Sequence, residues 1–129
     1  MKIIDILKTD YQRFPLNQTY NIYAEDVYFQ DPLNKFIGIK RYQKMIKFLD
    51  TFFKNIKMEL HNIEQENDVI YSKWTLYLTS PLPWQPAIAI SGTSELKLNS
   101  DNLIISHIDY WDCSIFDVIK QNFRLRKTN

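Results

Sequence analysis

From Ile56 onward the chain alternates apolar and polar residues over four successive segments, and that period of two restricts the fold more than any other feature of the sequence. Ile56, Met58 and Leu60 stand against Lys57, Glu59 and His61, and Ile70, Ser72, Trp74, Leu76 and Leu78 stand against Lys73 and Thr75. Side chains two apart on an extended chain share a face, so each segment reads as a strand with one side turned to a core. Ala87 to Leu98 and Leu103 to Asp112 complete the set. Asn67-Asp68 turns the first pair, and Asn99-Ser100-Asp101-Asn102 carries hairpin chemistry between the last two.

The first part of the chain has a different period. Ile4, Leu7, Tyr11 and Phe14 recur at helical spacing and stop before Pro15. Leu16 to Ala24 predicts a short helix capped by Asn17 and anchored by Tyr20 and Tyr23. Val27 to Pro32 predicts a short strand ended by proline. Gly38 follows a loop, and Ile39, Tyr42, Ile46, Leu49 and Phe53 mark a longer amphipathic helix. Ser114 with Asp117 three residues on is a capping pair opening a last helix through Ile119 and Phe123. Helices first and strands afterwards predict an α+β domain, with N-terminal helices packed on the concave face of a curved antiparallel β-sheet. Both parities of the fourth strand carry large residues, Ile104, Ile108 and Tyr110 against Leu103, Ile105 and Trp111. A sheet covered on both faces predicts a homodimer.

The 129 residues fit one domain, and 45% hydrophobic with 15% aromatic residues is far from the composition of a disordered chain. Sixteen Lys and Arg against fifteen Asp and Glu leave a net charge of +1, which attracts neither nucleic acid nor an anionic membrane. Met1 to Lys8 contains Asp5 and lacks the apolar core of a signal peptide, and every long apolar run is cut by a polar residue. A soluble, cytoplasmic protein is expected, or a stromal one if plastid-encoded. The lone Cys113 agrees with a reducing compartment and reads as a small hydrophobe.

The chemistry concentrates in Ser106-His107-Ile108-Asp109-Tyr110-Trp111-Asp112. Alternation puts His107, Asp109 and Trp111 on one strand face, where the imidazole and carboxylate can share a proton or a ligand atom. The same pair also reads as a buried hydrogen bond that fixes strand register. His61 lies on another strand, and the chain has no His-x-His or Cys pair, so no metal site is expected, and no cofactor. Asp31 before Pro32 reads as a turn residue accepting backbone N–H bonds. Pro81-Leu82-Pro83-Trp84-Gln85-Pro86 is a stiff connection that rims a pocket, clasps a partner through Trp84, or packs locally. Lys120, Arg124, Arg126 and Lys127 complement a helix C-terminus.

Tyr23-Ala24-Glu25-Asp26-Val27-Tyr28-Phe29-Gln30-Asp31-Pro32, with Gly38-Ile39 beyond it and the closing His107 to Asp112, resembles the nuclear transport factor 2-like, or SnoaL-like, superfamily over nearly the whole chain. With Pro81-Leu82-Pro83-Trp84 the likeness is to a functionally uncharacterised branch in cyanobacteria and chloroplasts. The resemblance implies a single SnoaL-like domain over 1–129 with the superfamily's cone-shaped fold. Asp31 resembles the general base of ketosteroid isomerases, but Ser94 falls near the place of their protonated aspartate and is a weaker donor. Asp109 resembles a carboxylate of limonene epoxide hydrolases, but Trp74 and Leu76 occupy the places of the required Arg and Asp.

The reading is a pocket between helices and sheet, lined by Phe29, Asp31, Trp74, Ile90, Ser94, His107, Asp109 and Trp111 and taking a small apolar or amphipathic molecule. Two alternatives use other features. One is a lyase or isomerase with His107, Asp109 or Asp31 moving the proton, and the other is a protein-interaction module built on the Trp84 loop.

Overall fold

The structure, a computed structural model, describes residues 2–123. Three helices, α1 (Ile3–Arg13), α2 (Ile39–Phe52) and α3 (Ile115–Asn122), lie against a six-stranded sheet. Its strands are β1 (Tyr23–Gln30), β2 (Lys35–Ile37), β3 (Lys54–Glu66), β4 (Val69–Thr79), β5 (Ala87–Leu98) and β6 (Ile104–Trp111), in the order β2-β1-β6-β5-β4-β3. Register shifts interrupt the β1–β6, β3–β4 and β5–β6 ladders, and such bulges bend a sheet. The result is a curved α+β cone.

The four alternating segments are β3 to β6, within two residues at each end. Asn67 turns the first hairpin at φ 58°. At the second, Asn99 Oδ1 accepts from the Asp101 and Leu103 amides, 2.9 and 3.0 Å away, with Asn102 at φ 64°. Ser114 and Asp117 close a reciprocal capping box on α3, and those bonds hold the Asp117 carboxyl below its ordinary pKa.

Four expectations need correction. The sheet is mixed, since β1 runs parallel to β6 while the other neighbours are antiparallel. Most of the chain separates β1 from β6, so no tight turn dictates their relative direction. The expected helix over Leu16 to Ala24 is a single 3-10 turn, Tyr20–Ile22, and Tyr23 already belongs to β1. Asn17 sits at φ 51° rather than as a cap, and buried Asp10 holds Thr19 through its amide (3.0 Å) and hydroxyl (2.8 Å). The strand near Val27 begins four residues earlier than expected, and β2 is too short for its period to be read. Arg124, Arg126 and Lys127 lie outside the described residues, whereas Lys120 stands in the last turn of α3.

All three helices cover the inner face. Ile3 and Leu7 of α1 join Val27, Ile70, Leu96 and Ile104 in one apolar cluster, and Tyr42 and Ile46 of α2 pack on Phe29. Val118 of α3 rests on a third cluster formed by Trp74, Leu78, Ile88 and Ile90. Full burial of a side chain such as Ile70 or Ile104 contributes roughly 1.5–3 kcal/mol. Gly38 opens α2 at φ 117°, a backbone state that an L side chain resists. Among the described residues, no helix is long and apolar enough to cross a membrane.

Candidate functional site

Between the three clusters the helices and sheet leave a cavity of about 720 Å³. Three rungs cross the inner face here, and Trp74, Ser94, His107, Asp109 and Trp111 from them form the cavity floor. Ile70, Leu96 and His107 form one rung, Ser72, Ser94 and Asp109 the next, and Trp74, Gly92 and Trp111 the third. His107, Asp109 and Trp111 therefore face inward, as their parity predicts, while Tyr110 is exposed on the other side. All eight residues expected to line a pocket, Phe29, Asp31, Trp74, Ile90, Ser94, His107, Asp109 and Trp111, do line this one.

The polar rung is a connected chain. Trp74 Nε1 donates to Ser94 Oγ at 2.8 Å, Ser94 Oγ donates to Asp109 Oδ1 at 2.5 Å, and the same oxygen bonds His107 Nε2 at 2.8 Å. Oδ2 of Asp109 accepts no hydrogen bond among the described residues. His107 is only 7% exposed, and its Nδ1 is buried without a partner. Its ring is enclosed by Phe29, Tyr42 and Tyr23, with centroids 5.0, 5.5 and 6.3 Å away. A neutral imidazole with hydrogen on Nε2 leaves only a lone pair unmet, whereas an imidazolium would bury an unpaired N–H. The geometry thus favours neutral His107 donating to ionised Asp109.

Sequence reasoning missed the roof. Tyr11 reaches down from α1 to bond Ser72 Oγ at 2.6 Å, and Tyr23 and Tyr42 close the space over His107. Burial pushes the Tyr11 phenol up to about 12, with the Asp109 charge adding to the shift. Burial first and neighbouring charges second push Tyr23 and Tyr42 up as well, so all three phenols stay protonated. Ser72 and Ser94, polar positions on an otherwise apolar parity, were the visible signal for this partnership.

Gly92 was also missed. A Cβ there would stand 2.5 Å from the Tyr110 carbonyl oxygen and 2.9 Å from the Trp74 ring, so its absence lets the indole lie across β5 towards Ser94.

Asp31 lies at the cavity wall, but its carboxylate is engaged. Oδ1 accepts from the Leu33 and Asn34 amides at 2.8 and 2.6 Å, and the Asn34 side chain touches both oxygens. This is a turn-forming aspartate. The proline-rich connection borders the cavity through Ser80, Pro81 and Leu82, while Trp84 turns to α3, donating to the Asn122 carbonyl and packing on Phe123. Gln121 completes the attachment. β5 extends beyond the end of β6, and the Gln121 amide meets both Ala89 N–H (2.8 Å) and Ala89 C=O (3.1 Å) there. Burial, with Asp117 nearby, pushes the Cys113 thiol up, as suits an unreactive small hydrophobe. No group of three or more His, Cys, Asp or Glu among the described residues is arranged to hold a metal ion.

Residues 1–107 match the family described as "Uncharacterized conserved protein (DUF2358)". The chain belongs to DUF2358. No curated protein matches it in sequence. Three solved structures place this DUF2358 chain in a wider fold. A hypothetical protein with ketosteroid isomerase-like protein fold from Catenulispora acidiphila, in complex with trimethylamine, has a TM-score of 0.75 at 15% identity, covering 95% of this chain and 94% of its own. An NTF2-like protein of unknown function from Burkholderia pseudomallei has a TM-score of 0.75 at 11% identity over 93% and 96%. An LEH-like epoxide hydrolase from M. tuberculosis has a TM-score of 0.67 at 15% identity over 94% and 89%. The DUF2358 chain thus has the nuclear transport factor 2-like, SnoaL-like fold.

Proposed function

We propose that this protein is a small-molecule-binding domain whose ligand, apolar or amphipathic, occupies the cavity between helices and sheet. One observation carries the reading. A space of about 720 Å³, walled mainly by apolar side chains, has a connected polar chain, Trp74–Ser94–Asp109–His107, on its floor. An apolar volume with few convergent polar groups is the usual architecture of a ligand site. A protein of this fold in complex with trimethylamine supports the same use of the scaffold. Thermal unfolding against a panel of metabolites tests it. A true ligand at about 100 times its dissociation constant adds roughly 2.7 kcal/mol, which raises the melting temperature visibly. A panel spanning amines, acids, terpenoids and polyketides that shifts nothing would count against the reading.

The unbonded Asp109 Oδ2 supports a second reading, a lyase or isomerase in which Asp109, oriented by His107, takes a proton from the bound molecule. The interaction-module alternative is weaker, because the Trp84 indole is spent on α3. Assembly as a homodimer belongs to the same proposal. Tyr71, Tyr77, Ile105 and Tyr110 remain exposed, and a second copy over the outer face would cover Tyr71, Tyr77 and Tyr110. Sedimentation at micromolar concentration is expected to give twice the chain mass, and a monomer across that range would remove the dimer. The proposed compartment is the cytoplasm, or the plastid stroma for a plastid member of the cyanobacterial and chloroplast branch.

A further inference from the structure

The charge lining the cavity is one-sided. Asp10, Asp31 and Asp109 contribute to its walls, and no Lys or Arg does so among the described residues. Two of these carboxylates are already answered. Asp10 bonds Arg13 Nη2 at 3.1 Å and both polar groups of Thr19, and Asp31 is wrapped by its own turn. Asp109 is different, because its donors are a neutral hydroxyl and an imidazole whose other nitrogen is buried without a partner. It is a half-buried carboxylate that, among the described residues, has no Lys or Arg beside it and one oxygen without a hydrogen bond. Around it stand aromatic faces, with Tyr23, Tyr42 and Phe29 on the His107 side and Trp74 and Trp111 on the other.

Given the pocket reading on which this rests, we propose that the ligand is an organic cation, a protonated amine or quaternary ammonium on an apolar body, with its charged end at Asp109 Oδ2 and the aromatic walls. A carboxylate in a low-dielectric cavity is stabilised by an opposite charge, and aromatic faces attract cations through their quadrupoles. An anionic ligand would meet Asp109 with no Lys or Arg among the described lining residues to offset the repulsion. A neutral ligand fills the space but leaves the carboxylate uncompensated. The raised phenols of Tyr11, Tyr23 and Tyr42 agree with a negative potential here, since Asp109 adds to the effect of burial at all three.

The test compares phenylbutylamine, phenylbutanol and phenylbutyrate, which share a skeleton and differ in charge, by calorimetric titration of the unaltered protein near neutral pH. The amine is expected to bind about tenfold more tightly than the alcohol, and the carboxylate most weakly. The net charge of +1 gives no general attraction for cations, so a preference for the amine reports the cavity. In Asp109→Asn the gap between amine and alcohol should close to about twofold or less. Equal or tighter binding of the alcohol or the carboxylate by the unaltered protein overturns the proposal and leaves the pocket reading standing, whatever the variant does. Binding of none of the three overturns both.

Discussion

Gly92→Ala is expected to lower the melting temperature by about 10 °C. The added methyl would lie 2.5 Å from the Tyr110 carbonyl oxygen and 2.9 to 3.1 Å from two carbons of the Trp74 ring. The ring could turn away, but the carbonyl belongs to β6, where Thr93 and Tyr110 pair across the ladder. Overpacking of this kind costs about 3 kcal/mol when backbone must shift, and each kcal/mol moves the midpoint by about 3–4 °C for a domain of this size. Displacing the indole also breaks its bond to Ser94, so the ligand site should weaken together with the fold. Trp74→Phe in the same background would relieve the ring contact alone and recover only part of the loss. Calorimetry or circular dichroism measures both variants, and a Gly92→Ala midpoint within about 2 °C of the parent would refute the close-approach argument.

Removing Asp109 has the other large expected effect, and two substitutions separate its possible roles. Asp109→Ala takes the acceptor from both His107 Nε2–H and Ser94 Oγ–H, leaving two donors in a largely buried place. Each such orphan costs about 1–3 kcal/mol, so a loss of roughly 2–6 kcal/mol is expected. Asp109→Asn keeps an oxygen in nearly the same position and should cost about 1 kcal/mol. Its ligand response is the informative part. A folded Asp109→Asn protein that no longer gains thermal stability from a ligand of the parent marks the carboxylate as a binding group. Undiminished ligand stabilisation with lowered intrinsic stability would assign the pair to strand register instead.

Much of the floor of the site is legible in the sequence. His107, Asp109 and Trp111 stand two apart, and strand geometry forces them to one side whatever they pack against. The inward parity of Trp74, Ile90 and Ser94 follows from the apolar residues that share it along each strand. Strand direction is not legible, because alternation reads the same on parallel and antiparallel neighbours. The helix expected over Leu16 to Ala24 fails for a tertiary reason. Tyr20 and Tyr23 have helical spacing, but Tyr20 packs on Tyr42, and Tyr23 enters a strand beside β6 with its ring against Tyr42 and His107. Contacts across the fold outweigh a weak local preference.

What the sequence alone determined is whatever depends on neighbours in the chain. Bulges aside, one of which turns Ile104 into the core against the parity it shares with Ile108 and Tyr110, this includes the α+β order, the two hairpins, the Ser114–Asp117 cap and the face on which each strand residue lies. These follow from bond geometry and hydrogen bonds spanning a few residues. The tertiary structure decided what depends on distant segments meeting. The roof of Tyr11, Tyr23 and Tyr42, the clasp of Gln121 on Ala89, the turn of Trp84 towards α3 and the passage of the Trp74 ring over Gly92 join residues 18 to 61 positions apart, or separate elements. A cavity is the volume that packed elements fail to fill, so its size and charge exist only once those elements are placed.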